Sequence, residues 1–208
     1  MTAALSLDEI LGLSPVIPVL TIDDLAHAVP LGRALLAGGL PVLEITLRTP
    51  VAMACLERVA GEVEGAVVGA GTVLTAQMRR AAAGVGAQFC VSPGLIEGET
   101  AGGPAPLLPG VATATEVIAG LAAGFTRFKL FPANVAGGAD ALKAFASPFQ
   151  QARFCPTGGV NVANAADYLA LPNVVCVGGS WVAPADAVRA GDWGRITELA
   201  RQAAALRS

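Results

Sequence analysis

The chain of 208 residues is long enough to bury a full core, as one larger domain or two small ones. Hydrophobic residues make up 54% and charged residues 14%, yet no apolar run approaches about 18 residues uncut by Gly, Pro, Glu or Arg, which excludes a chain built on membrane-spanning helices. A formal net charge of −3 with scattered basic residues gives no electrostatic footprint for nucleic acid.

No basic region precedes an apolar core within residues 1–13, so no signal peptide and a cytoplasmic location are expected. Cys55, Cys90, Cys155 and Cys176 are widely spaced, form no CxxC pair and have a single histidine, His27, for company. Zinc and redox assignments therefore lack ligands, and buried reduced thiols with no metal are expected. A metal held by carboxylates alone stays open, with nothing pointing to it.

A short amphipathic segment at residues 7–13 opens the chain, and residues 16–20 read as a first strand. Asp23 or Asp24 caps a helix running to about residue 37, stopped by Gly38 and Gly39. Residues 41–48 form the second strand, with Thr49 as N-cap and Pro50 as first position of a helix reaching residue 59. This strand-then-helix unit repeats with a period near 25 residues. The third strand covers 66–73, with a helix over 75–83, and the fourth strand covers 88–93. A helix is due at 97–104, but Gly98, Gly102, Gly103 and Pro104 leave room for one turn at most. Strands at 106–111, 127–133, 152–160 and 174–180 then alternate with helices at 115–123, 137–145 and 162–169, and a long helix over 193–206 closes the chain. Parallel strands need helical crossovers, so eight such units predict a single (β/α)8 TIM barrel over residues 1–208 with a short N-terminal helix.

In such a barrel the chemistry sits where the strands end. Lys129, one of two lysines in the chain, lies in an apolar strand-like run; it shares a face with Arg127 and Phe131, while Phe128 and Leu130 face away and Pro132 ends the ladder. Burial would lower its pKa from the usual value of about 10.4 and leave a nucleophilic amine, as Schiff-base chemistry requires. The competing reading is a lysine that snorkels to solvent. Phe131, beside it, joins the candidate substrate-binding set.

In the second strand Leu43, Ile45 and Leu47 alternate as the helix-facing side, which turns Val42, Glu44 and Thr46 inward. Glu44 is then either half of a structural ion pair with Arg127 or Arg48, or a carboxylate that shuttles protons beside Lys129. Arg48, at the strand edge, offers a fork for a substrate carboxylate, or is a plain surface arginine. Gly69-Ala70-Gly71-Thr72 lacks the third glycine and the acidic strand end of a dinucleotide fingerprint. It suits close backbone approach to a small ligand, with the Thr72 hydroxyl as donor. Thr72 as a packing hydroxyl and Pro93 as a turn proline are the alternatives. Thr157-Gly158-Gly159 and Gly178-Gly179-Ser180 follow the seventh and eighth strands, where barrels bind phosphate through backbone N–H groups.

Eight ordered blocks, PVIPVL, GGLPVLEITLRTP, VVGAGTVL, GAQFCVSPG, LLPGVATATE, FKLFPA, RFCPTGGV and VGGSWVAPADAVRAGDW, run over nearly the whole chain. Together they resemble the bacterial 2-keto-3-deoxy-6-phosphogluconate (KDPG) aldolase family, which also acts on 4-hydroxy-2-oxoglutarate. The resemblance implies a class I aldolase without metal or cofactor, on a TIM barrel, assembled as a homotrimer. Its partner would be a small keto-acid sugar phosphate, with no nucleic acid and no membrane. It implies Lys129 as the Schiff-base residue and Glu44 as the general acid/base, Arg48 and Thr72 on the pyruvate-derived carboxylate, and Pro93 lining the pocket. Thr157 would contribute to stereoselectivity, and Gly158, Gly159, Gly179 and Ser180 would form the phosphate end.

The CPTGG and GGSW pattern favours the gluconate-derived substrate over its galactonate epimer. A broader pyruvate aldolase preferring 4-hydroxy-2-oxoglutarate is the enzymatic alternative. A non-catalytic sugar-phosphate-binding barrel is the other, and it needs neither interior Lys129 nor Glu44. The chain departs from the family pattern in the short connection at 98–104, where family members have a longer helix; the expected consequence is local, in packing or a subunit contact.

Overall fold

The structure is a computed structural model that describes residues 5–207. A short helix, α1 (Leu7–Gly12), precedes the first stave, β1 (Val16–Leu20), and α2 (Leu25–Ala37) returns the chain to β2 (Val42–Thr46). The pattern continues through α3 (Ala52–Glu62), β3 (Val67–Gly71), α4 (Ala76–Gly84) and β4 (Phe89–Val91). The fifth stave is split into β5 (Leu107–Leu108) and β6 (Gly110–Val111), because Pro109 between them has no N–H to give the ladder. Then come α5 (Ala114–Ala122), β7 (Arg127–Leu130), α6 (Gly138–Ala146), β8 (Arg153–Pro156), α7 (Ala165–Leu169), β9 (Val177–Gly179), α8 (Ala185–Ala190) and α9 (Trp193–Ala204).

Every ladder is parallel, in the orders β5-β4-β3-β2-β1-β9 and β6-β7-β8. The two sheets join at Pro109, whose carbonyl accepts the Lys129 N–H at 2.8 Å. On the far side, bridges from Phe154 to Val174 and from Thr157 to Gly178 close the ring. The result is the eight-staved (β/α) barrel that the strand–helix alternation predicts.

Most boundaries follow from local chemistry. Asp24, not Asp23, caps α2 by accepting the Ala26 N–H at 2.8 Å. Thr113 and Glu116 form a reciprocal capping box at the start of α5. Thr49 does not cap α3, because its hydroxyl donates to the Ile22 carbonyl at 2.7 Å, and the helix starts only at Ala52. Helix α7 begins later than its pattern suggests, since Asn161 and Asn164 hold the preceding chain in a turn, with the Asn164 amide donating to the Gly159 carbonyl at 3.0 Å. Helix α8 has no counterpart in the sequence reading; six residues are too few to show a period, and Gly191 ends it at φ +65°.

The connection at 92–106 holds no helix. It is organised by Arg79 from α4, which is 2% exposed, pairs with Glu99 and donates to the Gly102 carbonyl at 2.8 Å and the Ala105 carbonyl at 2.6 Å. Gly103 sits at φ +129°, and a Cβ there would lie 2.7 Å from the Arg79 guanidinium. A buried guanidinium thus does the work of a missing hydrophobic helix.

The core has two parts. Leu43, Ile45, Phe128, Leu130 and Phe154 pack between staves and helices. Ile17, Val42, Val67, Phe89, Leu108, Cys155 and Cys176 fill the barrel, where Ile10 and Leu11 of α1 join them. Burying each such large aliphatic contributes about 1.5–3 kcal/mol, and Asp8 of α1 is tied by an ion pair to Arg127 at the start of β7. Helix α1 thereby plugs the N-terminal mouth and leaves the opposite end open. All four cysteines are buried, and none is in a disulfide. Among the described residues no helix is long and apolar enough to cross a membrane.

Candidate active site

The inward positions of the staves build the site. In β7 the alternation turns Phe128 and Leu130 to the helices, both fully buried, and Lys129 to the interior. In β2 the same alternation turns Glu44 inward, and the two meet: the Lys129 Nζ donates to the Glu44 Oε1 at 3.1 Å, each residue being 3% exposed. Lys129 does not snorkel. Nor is Glu44 paired with the arginines considered from the sequence, since Arg127 is engaged by Asp8 below and Arg48 by Thr72 above. The desolvation of such a pair is costly and makes it a poor stabiliser, so its presence in a cleft points to chemistry. The Phe131 ring lies 5.2 Å from the Nζ, a cation–π distance.

Glycine on the adjoining stave makes the room. A Cβ on Gly71 would come within 2.3 Å of the Glu44 Oε1, so the carboxylate occupies space that any side chain would take. The next residue, Thr72, has φ 58°, a left-handed conformation that a β-branched residue adopts only when its surroundings impose it. In that conformation its Oγ1 accepts the Arg48 Nε–H at 2.8 Å. The Thr72 proton remains available to a ligand.

A cleft of about 230 Å³ opens above the lysine. Of the residues singled out from the sequence it brings together Arg48, Lys129, Phe131, Thr157, Gly158, Gly159, Gly179 and Ser180. Glu44 lies beside Lys129, and Thr72 reaches the cleft through Arg48. Pro93 stands at the end of β4, outside the residues that line the cleft, with its carbonyl packed so closely over Gly110 that a Cβ there would lie 2.2 Å away. Gly158 and Gly159 have φ +95° and +76°, and a Cβ on Gly159 would strike the Asn134 side chain at 2.4 Å. That turn is open only to glycine.

The lining also includes Gly178 of the second glycine pair, and Val19, Thr21 and Val160, which the sequence reading did not single out. Thr21 could have been found by carrying the alternation of β1 one residue past its end, since Ile17 and Val19 already point inward. Val19, Thr21 and Ser180 are shared with a larger adjoining cavity of about 640 Å³ that extends past Asp23, His27 and Trp181 to Arg189. Among the described residues no group of three or more His, Cys, Asp or Glu side chains is placed to hold a metal ion.

Residues 7–199 match the family model described as KDPG and KHG aldolase. The KHG/KDPG aldolase of Escherichia coli strain K12 is 51% identical over 95% of this chain and 94% of that protein. A crystal structure of 2-keto-3-deoxy-6-phospho-gluconate aldolase from Zymomonas mobilis superposes with a TM-score of 0.91 at 52% identity, covering 97% of this chain and 98% of that one. The KDPG aldolase of Legionella pneumophila, crystallised with pyruvate captured as a covalent carbinolamine intermediate, superposes with a TM-score of 0.92 at 45% identity over 95% of this chain and 97% of that one. The sequence blocks, the barrel and these likenesses agree: the chain belongs to the KDPG and KHG aldolase family.

Proposed function

We propose that this protein is a class I aldolase that cleaves 2-keto-3-deoxy-6-phosphogluconate to pyruvate and D-glyceraldehyde 3-phosphate. The observation that carries the reading is the buried Lys129 amine, 3.1 Å from the Glu44 carboxylate, at the foot of a cleft with Arg48 on its rim and glycine turns after β8 and at the end of β9. The carbinolamine of the Legionella relative supports the covalent route.

Lys129, having passed its proton to Glu44, attacks the C2 ketone. Glu44 returns that proton, directly or through a water, to the carbinolamine hydroxyl, which leaves as water and yields the iminium. Glu44 next takes the C4 hydroxyl proton, the C3–C4 bond breaks, and its electrons move into the iminium to give an enamine as the aldehyde departs. Protonation at C3 and hydrolysis release pyruvate and regenerate the amine. Arg48 and Thr72 hold the carboxylate end throughout. Phe131 shapes the pocket around the reacting carbons, while Pro93, outside the cleft lining, supports the neighbouring stave through its carbonyl over Gly110; Thr157 bears on the hydroxylated carbons and so on stereochemistry. Gly158, Gly159, Gly179 and Ser180 receive the phosphate through backbone N–H groups and a hydroxyl. A sugar-phosphate-binding barrel without catalysis would have no use for a buried lysine–glutamate pair.

The double name of the Escherichia coli relative favours a second activity, cleavage of 4-hydroxy-2-oxoglutarate to pyruvate and glyoxylate. That substrate uses the lysine half of the cleft and leaves the glycine turns idle. Pyruvate release from both compounds, measured as kcat/KM, tests the assignment. A higher value for the phosphorylated substrate is expected; equal values or a preference for the smaller one would transfer the physiological role to it. The chain is further proposed to assemble as a homotrimer, as the family resemblance implies. Light scattering at micromolar concentration should return three times the chain mass.

A further inference from the structure

Thr21 is the first residue after β1 and belongs to the cleft lining. In the β1–β2 register Val19 stands opposite Glu44 and Leu20 opposite Ile45, so Thr21 and Thr46 lie one pleat nearer the rim than the lysine–glutamate pair. Thr46 is fully buried, and its hydroxyl donates to the Leu20 carbonyl at 2.8 Å. The Thr21 and Thr46 hydroxyl oxygens are 3.1 Å apart.

Proton counting then fixes the direction of this second bond. A threonine hydroxyl has one proton to donate, and that of Thr46 is spent on Leu20. Thr21 must therefore donate to Thr46, which leaves its Oγ1 with acceptor lone pairs only. Of the other polar groups we assign to that half of the cleft, the backbone N–H groups of the glycine turns are donors, the Ser180 hydroxyl is given to the phosphate, and the Thr157 hydroxyl is turned toward the Cys155 carbonyl at 3.4 Å. Thr21 supplies an acceptor where a substrate hydroxyl needs one.

We infer that Thr21 is a specificity residue that accepts a hydrogen bond from the hydroxyl on the carbon beyond the bond that breaks, C5 of a six-carbon keto-acid sugar phosphate. One pleat of two residues rises about 7 Å, which matches the reach of about 5 Å over the four bonds from an imine carbon to that hydroxyl plus one hydrogen bond of about 2.8 Å to the acceptor. The assignment rests on the aldolase reading. It adds that the enzyme distinguishes aldehydes carrying a 2-hydroxyl from those lacking one through a hydrogen-bond chain in which Thr21 donates to Thr46 and Thr46 to the Leu20 carbonyl.

The test runs the reaction in the direction of addition, condensing pyruvate with D-glyceraldehyde 3-phosphate or with 3-phosphopropanal, which lacks the 2-hydroxyl. The ratio of the two kcat/KM values is compared among the unaltered enzyme, Thr21→Val and Thr21→Ser. Valine keeps the shape and removes the acceptor; serine keeps the acceptor. The preference for the hydroxylated aldehyde is expected to fall about fivefold to tenfold in T21V and to be retained in T21S. The same ratio in all three proteins would overturn the role of Thr21. Failure of the unaltered enzyme to condense pyruvate with either aldehyde would instead overturn the aldolase reading, and with it this inference. Thr21 is exposed, so both variants are expected to fold, and thermal unfolding checks this.

Discussion

Gly71 on β3 and Glu44 on β2 are packed so closely that a methyl group on the glycine would stand 2.3 Å from the carboxylate oxygen that meets Lys129. Neighbouring backbone thus holds the carboxylate in place. Gly71→Ala is expected to displace Glu44 by about 1 Å and to lower kcat about a hundredfold, the usual cost of misplacing a reacting group by that distance. The KM for substrate should change far less. Steady-state kinetics with a melting curve separate this from misfolding; an alanine variant with unaltered kcat would show that the carboxylate position is not critical.

The pair of Arg48 and Thr72, joined at 2.8 Å, is assigned to the substrate carboxylate, which is bound alike in ground state and transition state. Arg48→Ala should therefore act on binding. A lost charge-assisted hydrogen bond amounts to about 1.5–3 kcal/mol, or roughly a 10–100-fold rise in KM, with kcat little changed. A fall in kcat with unchanged KM would place Arg48 in the chemical step instead.

Arg79 makes the opposite prediction. It is buried against Glu99 and the carbonyls of Gly102 and Ala105, in a connection that lends no residue to the cleft lining. Arg79→Met would strand these acceptors and cost about 3 kcal/mol or more, lowering Tm by roughly 6–12 °C for a chain of this size. The kcat/KM at 25 °C should stay close to that of the unaltered enzyme. Calorimetry and kinetics on one preparation decide the matter.

The Glu116 carboxylate accepts the Ala112 N–H at 2.7 Å and the Thr113 N–H at 2.8 Å. These bonds, with that of Ala112 foremost, hold its pKa below the usual 4.5. A carboxyl with a lowered folded-state pKa stabilises the fold above its unfolded-state value and loses that contribution as the pH falls through the folded-state value. Glu116→Ala should thus cost about 1 kcal/mol at pH 7, and the difference should shrink below pH 4. Denaturant titrations at several pH values read this directly.

Strand periodicity made much of this molecule legible. Strict alternation put Glu44 and Lys129 inside one barrel before either had a partner, and the glycine turns marked the open end. What could not be read were the choices among competing hydrogen bonds. Asp23 and Asp24 are equal as caps until the chain direction selects one, and Thr49 looks like a cap until the Ile22 carbonyl claims its hydroxyl. Likewise the glycine-rich connection shows what cannot form there, but not that Arg79 reaches in from α4 to hold it. Thr21 escaped notice because strand boundaries blur by a residue or two, and its place on the inner face depends on that last residue.

The central claim is a covalent one, and the chain has only two lysines, Lys129 and Lys143. Lys143 is exposed on α6 beside Asp140. Incubation with pyruvate and borohydride, followed by peptide mass analysis, should find one reduced pyruvate adduct on the peptide that contains Lys129, with concomitant loss of activity. An unmodified Lys129 in protein that still cleaves its substrate would contradict the account.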